Sequence, residues 1–126
     1  MKIMNYIKGR DKATINKVEI PGGGDFFRVS YKDKDRGSIV SRYLGNFWEA
    51  ETVLLKKGYH GEKEQEYKGV IIRWRERGIH NVADTLYKDG YYEYLPPFPG
   101  TIFYWAATIP EAQAEIDRLE RFSNSL

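Results

Sequence analysis

The sequence predicts an α+β fold: two fused βββα-like units, with a mainly antiparallel sheet of six to seven strands and two helices packed on it. Two helix starts written in one grammar carry this expectation. Asn46 is an N-cap with Glu49 three places on, and Thr108 is an N-cap with Glu111 three places on and Pro110 in the first turn, where its missing N–H costs nothing. Each box leads to an Ala and then to an apolar residue one turn later, Leu54 or Ile116. The aromatic share, 15% with ten Tyr, adds a preference for pleated surfaces.

The elements follow in order. Residues 1–11 carry charge and little periodicity and predict an irregular arm. Ala13–Ile20 is β-branched and stops at Pro21-Gly22-Gly23-Gly24, a strand and its breaker. Asp25–Lys32 alternates, with Phe27, Val29 and Tyr31 on one face and Phe26, Arg28, Ser30 and Lys32 on the other. A turn over 33–37 leads to a strand over Ser38–Leu44, where placing Leu44 in the core also turns Arg42 inward. A helix over Phe47–Lys57 follows, with an apolar stripe of Phe47, Ala50, Val53 and Leu54, and Gly58 beyond its end. Residues 61–65 read as a charged linker.

The second unit opens with a strand over Tyr67–Glu76, Val70, Ile72 and Trp74 on one face and Ile71, Arg73 and Arg75 on the other, with Arg77 continuing the row. Ile79–Tyr87 is a weaker strand in which Asp84 is out of character. Lys88-Asp89-Gly90 signals a hairpin, Tyr91–Leu95 a strand, Pro96–Gly100 a rigid loop, Thr101–Ala107 a strand, and Ile109–Phe122 a helix with Ala112, Ile116 and Leu119 inward. The whole, 1–126, is expected to form one compact domain of sub-units 12–60 (βββα) and 66–123 (ββββα). The caps lie 62 positions apart, so Leu54 and Ile116 are expected to be equivalent and buried, with Glu51 and Gln113 on the surface.

Composition narrows function. The chain has no Cys, which removes thiolate chemistry, disulfides and Cys-based metal sites. No apolar run approaches the roughly 20 residues of a membrane span, and the first residues do not form a signal peptide, so a cytoplasmic protein with no membrane partner is expected. The two histidines, His60 and His80, have no paired metal spacing, and Gly22-Gly23-Gly24 lacks the Lys and Ser/Thr of a phosphate loop. No catalytic set and no cofactor are predicted.

Residues 24–58 resemble the three-strand-plus-helix module of AP2 DNA-binding domains and of phage integrase arm-binding domains. The likeness rests on Phe26-Phe27-Arg28-Val29, a charged turn, Arg42-Tyr43-Leu44-Gly45-Asn46-Phe47 and the Glu49-Ala50-Glu51 helix start. It implies a sheet that contacts DNA through Arg28 and Arg42, with Lys32 nearby. Ala106-Ala107-Thr108 through Asp117 is similar to the C-terminal signature of many small uncharacterised bacterial and phage proteins and implies shape alone. The count of strands and helices has a loose architectural likeness to the C1q-binding protein family of the mitochondrial matrix, which forms rings.

Two function classes follow. One is a non-enzymatic accessory protein of phage or mobile-element type that self-associates and binds a protein partner. Its candidate interface is the aromatic surplus at Tyr91, Tyr92, Tyr94, Phe98 and Tyr104. The other is a nucleic-acid-binding module that uses a basic outer sheet face, with Arg28, Lys32, Arg42, Arg73, Arg75 and Arg77 as candidate contacts. The net charge of +2 favours neither, and what separates them is whether carboxylates stand across the strands from those cations.

Overall fold

The computed structural model describes residues 3–35, 37–97 and 100–125. The chain is α+β: the described residues form antiparallel sheets of five and four strands and three helices. It divides into two compact units, Met1–Glu62 and Lys63–Leu126.

The first unit holds β1 (Ile3–Lys8), β2 (Asp11–Glu19), β3 (Asp25–Asp33), β4 (Ser38–Leu44), α1 (Phe47–Lys56) and β5 (His60–Gly61), with strand order β4-β3-β2-β1-β5. Of the arm expected over residues 1–11, the described part from Ile3 on is a strand, a turn and the start of β2. Met4 and Tyr6 are buried and pair with Ile15 and Ala13. Ile7 lies on the opposite face and is apolar too, which flattens the alternation a strand normally shows.

Asn46 caps α1 by accepting from the Glu49 N–H at 2.8 Å. The helix sets Phe47, Ala50 and Leu54, all at 1% exposure or less, against the face carrying Ile15, Phe27 and Val29. Phe47 meets Phe27 edge-to-face at 6.0 Å. Burial of each large apolar side chain there contributes about 1.5–3 kcal/mol. Glu51, expected on the surface, is 5% exposed, and its carboxylate accepts the Tyr6 hydroxyl at 2.6 Å. That bond joins helix to β1 and supplies the partner a buried carboxylate requires.

The second unit holds β6 (Gln65–Tyr67), β7 (Val70–Arg75), α2 (Asn81–Leu86), β8 (Tyr91–Tyr94), β9 (Tyr104–Ala106) and α3 (Ile109–Asn124), in the order β6-β7-β8-β9. Four expectations change here. The single strand over 67–76 is a hairpin, because Lys68 (φ 49°) and Gly69 (φ 82°) form a two-residue turn with both φ values positive. The charged stretch 61–65 contributes to β5 and β6 as well as to a turn.

The expected strand over 79–87 is largely the short helix α2. His80 caps it through Nδ1, and Asp84, odd in a strand, sits in its first turn and accepts from the Gly78 N–H at 3.0 Å. A Cβ at Gly90 (φ 97°) would stand 2.4 Å from a Trp74 ring carbon, so the entry to β8 admits only glycine. The expected strand over 101–107 is confined to β9.

Thr108 caps α3, and Glu111 reaches back to the Ala107 N–H at 3.2 Å. Ala112 and Ile116 pack with Val70, Ile72, Tyr94 and Ala106. Leu54 and Ile116 thus stand eight residues after their caps and are 0% and 2% exposed. Among the described residues no helix is long and apolar enough to cross a membrane.

Candidate nucleic-acid interface

Register assigns every side chain of the first sheet to a face, since directly paired residues share one. The helix-covered face takes Tyr6, Ala13, Ile15, Phe27, Val29 and Tyr31. The other takes Lys12, Thr14, Asn16 and Val18 of β2, Phe26, Arg28, Ser30 and Lys32 of β3, and Ile39, Ser41 and Tyr43 of β4. All four strand carboxylates of β1 to β4, Asp11, Glu19, Asp25 and Asp33, fall on the helix side of the register. Lys17 meets Asp25 there at 3.4 Å.

The outer face therefore carries the cations Lys12, Arg28 and Lys32 with no carboxylate at any of its strand positions in β1 to β4. Its exposed apolar surface is aromatic or branched: Phe26 is 41% exposed, Tyr43 61% and Ile39 70%. One rung crosses three strands as Asn16, Arg28 and Tyr43. On that rung the Arg28 Nε donor and the Asn16 Oδ1 acceptor are buried and have no hydrogen-bond partner among the described residues, each a group whose hydrogen bond is worth about 1–3 kcal/mol to satisfy.

The candidate contacts separate accordingly. Arg28 and Lys32 share the outer face. Arg42 does not: it pairs with Val29 on the helix side, and on the edge strand β4 it is exposed. The pair implied by the likeness to AP2 and integrase modules, Arg28 and Arg42, thus lies on opposite faces.

The arginine row of β7 has another fate. Arg75 is 3% exposed and its guanidinium stands 3.4 Å from the Glu93 carboxylate, whose other oxygen accepts the Trp105 indole N–H at 3.1 Å. Arg73 stands 3.4 Å from Glu64, and Arg77, which is exposed, donates to the Lys88 carbonyl at 3.1 Å. The α2 segment covers this face: Tyr87 stacks on Tyr91 at 5.8 Å, and the His80 ring meets Trp105 at 5.1 Å.

The aromatic residues marked as an interface mostly pack within the second unit. Tyr91 and Tyr94 are 0% and 2% exposed, Tyr92 meets Trp74 at 4.9 Å, and Tyr104 meets Tyr94 at 6.0 Å. Burial pushes the Tyr94 phenol up to about 12, with the Glu115 charge adding to it, and pushes the Tyr91 phenol up as well. Phe98 lies outside the described residues. Among those described, no group of three or more His, Cys, Asp or Glu could hold a metal.

Sequence reasoning passed over Lys12, Asn16 and Tyr43 as members of the outer face. Their alternation was available, but the face each strand presents depends on pairing. The units also differ in charge. Met1–Glu62 carries twelve Lys and Arg against eight Asp and Glu, a net +4; Lys63–Leu126 carries eight against ten, a net −2. Neither a protein-family model, nor a curated protein, nor a solved structure matches the chain.

Proposed function

We propose that this chain is a non-enzymatic binding protein that takes single-stranded nucleic acid on the outer face of its first sheet. The observation that carries the reading is the carboxylate-free strand face with Lys12, Arg28 and Lys32 upon it. Phosphates are held by cations that have no competing anion beside them, and unpaired bases stack on exposed rings such as Tyr43 and Phe26.

Width favours a single strand over a duplex. Four paired strands span about 14 Å between outer axes at 4.8 Å spacing, more than the roughly 12 Å of a B-DNA major groove. From Phe26 to Lys32 the face runs about 20 Å along β3, room for a few nucleotides.

Fluorescence anisotropy with one labelled oligonucleotide, single-stranded and as duplex, tests this across a salt series. The single strand is expected to bind more tightly, with affinity falling as salt rises. Arg28→Ala is expected to flatten the log–log salt dependence by about 0.7, one phosphate contact, while Arg73→Ala leaves it unchanged. Binding that ignores salt, or that Arg28→Ala leaves intact, would overturn the reading.

Self-association is a second reading, favoured by β4. This strand ends the sheet, and its Ile39 and Tyr43 are 70% and 61% exposed, the kind of edge other chains pair with. Sedimentation velocity at rising concentration is expected to show a dimer that Ile39→Lys abolishes, and a clean monomer throughout would remove it.

A further inference from the structure

We infer that one end of the first sheet holds a pocket for a phosphate monoester, the group that terminates a nucleic-acid strand or a free nucleotide. The strand-end form rests on the reading above; the pocket itself does not. β1 and β3 run the same way, so Lys8 and Asp33 finish at one end of the sheet, where the last turn of α1 also arrives. A cavity of about 240 Å³ lies there. Its aromatic lining is Tyr31 and Tyr59, 7% and 4% exposed.

Two ammonium groups are already set over those rings. Lys57 Nζ lies 4.7 Å from the Tyr31 centroid, and Lys8 Nζ, which donates to the Lys57 carbonyl, lies 5.9 Å from that of Tyr59. Lys32 and Lys34 complete the lining; both are exposed and neither forms an ion pair among the described residues. Asp33 and Asp35 also line the cavity, and Asp33 turns a carboxylate oxygen onto the Asp35 N–H at 3.0 Å.

Four cations against two carboxylates suit a dianion with several terminal oxygens better than a diester with one charge. The volume is below the roughly 300 Å³ at which pockets begin to hold drug-sized ligands, and fits a phosphate with its sugar. Lys32 belongs both to this pocket and to the outer-face row, so a strand laid along β3 past Arg28 ends here.

The test uses the full chain at low ionic strength. Anisotropy is measured with an oligothymidine bearing a phosphate at its 5′ end, at its 3′ end or at neither, and backbone amide NMR follows thymidine 5′-monophosphate against thymidine. One terminal phosphate is expected to tighten binding about tenfold, a gain that fades below pH of about 6 as the dianion takes up a proton and becomes a monoanion. Lys34→Gln, a change in an exposed turn, removes the gain and leaves the unphosphorylated strand within about twofold. The monophosphate is expected to shift the amides of Asp33–Asp35 and Gly58–Tyr59, and thymidine is not.

Amide shifts without any terminal-phosphate gain uphold the pocket and assign it the free nucleotide. Amide shifts with no oligonucleotide binding at all uphold the pocket and overturn the sheet-face reading. Oligonucleotide binding without a terminal gain, together with silent amides, overturns the pocket and leaves the sheet face standing.

Discussion

The two sheets place arginines at comparable strand positions and use them in opposite ways. On β3, Arg28 stands between Asn16 and Tyr43 on a face with no strand carboxylate in β1 to β4, its Nε without a hydrogen-bond partner among the described residues. On β7, Arg75 is buried, paired to Glu93, and covered by the α2 segment. The difference lies in neighbours that are remote in sequence. Glu93 pairs with Arg73 and reaches Arg75 from the adjacent strand, whereas the four carboxylates of β1 to β4 all sit one residue out of phase with Lys12, Arg28 and Lys32. Alternation has period two, so a shift of one position decides whether a basic row is neutralised or left available.

Glu93→Ala should therefore be the most damaging change. It takes the carboxylate partner from the buried Arg75 guanidinium and the acceptor from the Trp105 indole N–H, and is expected to cost about 3–5 kcal/mol in urea unfolding. Arg28→Ala should cost less than about 0.5 kcal/mol while weakening nucleic-acid binding. Equal stability losses would erase the contrast between the sheets.

Next come the residues the two units share. Leu54→Ala and Ile116→Ala each delete a side chain at most 2% exposed, at the same offset from a cap, and are expected to cost about 2–5 kcal/mol apiece. A harmless result at one of them would mean that the matching offsets carry no common packing role.

Alkaline titration gives the smallest effect. Tyr94 has an ordinary value of 10.0, raised to about 12 in the fold chiefly by burial. The folded state holds this proton more tightly, so the stabilisation is complete below pH 10 and declines as pH rises toward 12. Circular dichroism and tyrosinate absorbance should place the loss of structure in that window, and Tyr94→Phe should move it upward. Coincident curves for the two proteins would acquit Tyr94.

Local grammar made much of this fold legible. The caps of α1 and α3, the alternation of β2 and β3 and the Gly58 stop are all written within a few residues of where they act. Signals that failed were short or remote. α2 has only six residues, too few for a helical stripe, although Asp84 and His80 marked it in hindsight as a capped turn. Lys68 is an uncommon residue at positive φ, which hid the β6–β7 hairpin. Glu51 could not be read as buried, because the Tyr6 hydroxyl that allows it lies 45 residues earlier. The outer face needed register, the least local property of a sheet.

The position of β1 has a consequence in time. It lies between β2 and β5, pairing with residues 11–16 on one side and with His60 and Gly61 on the other. The first contact forms across a tight turn; the second closes a loop of more than fifty residues, and the Tyr6–Glu51 bond closes one of 45. Hairpins form within about 1–10 μs, whereas long-range closures are paid for in entropy before they return anything. During synthesis at about 5–20 residues per second, the meander of β1 to β4 can assemble while β1 waits several seconds for its outer partner. Until then the outer edge of β1 at Tyr6 and Ile7 stays unpaired, an open backbone edge on the growing chain.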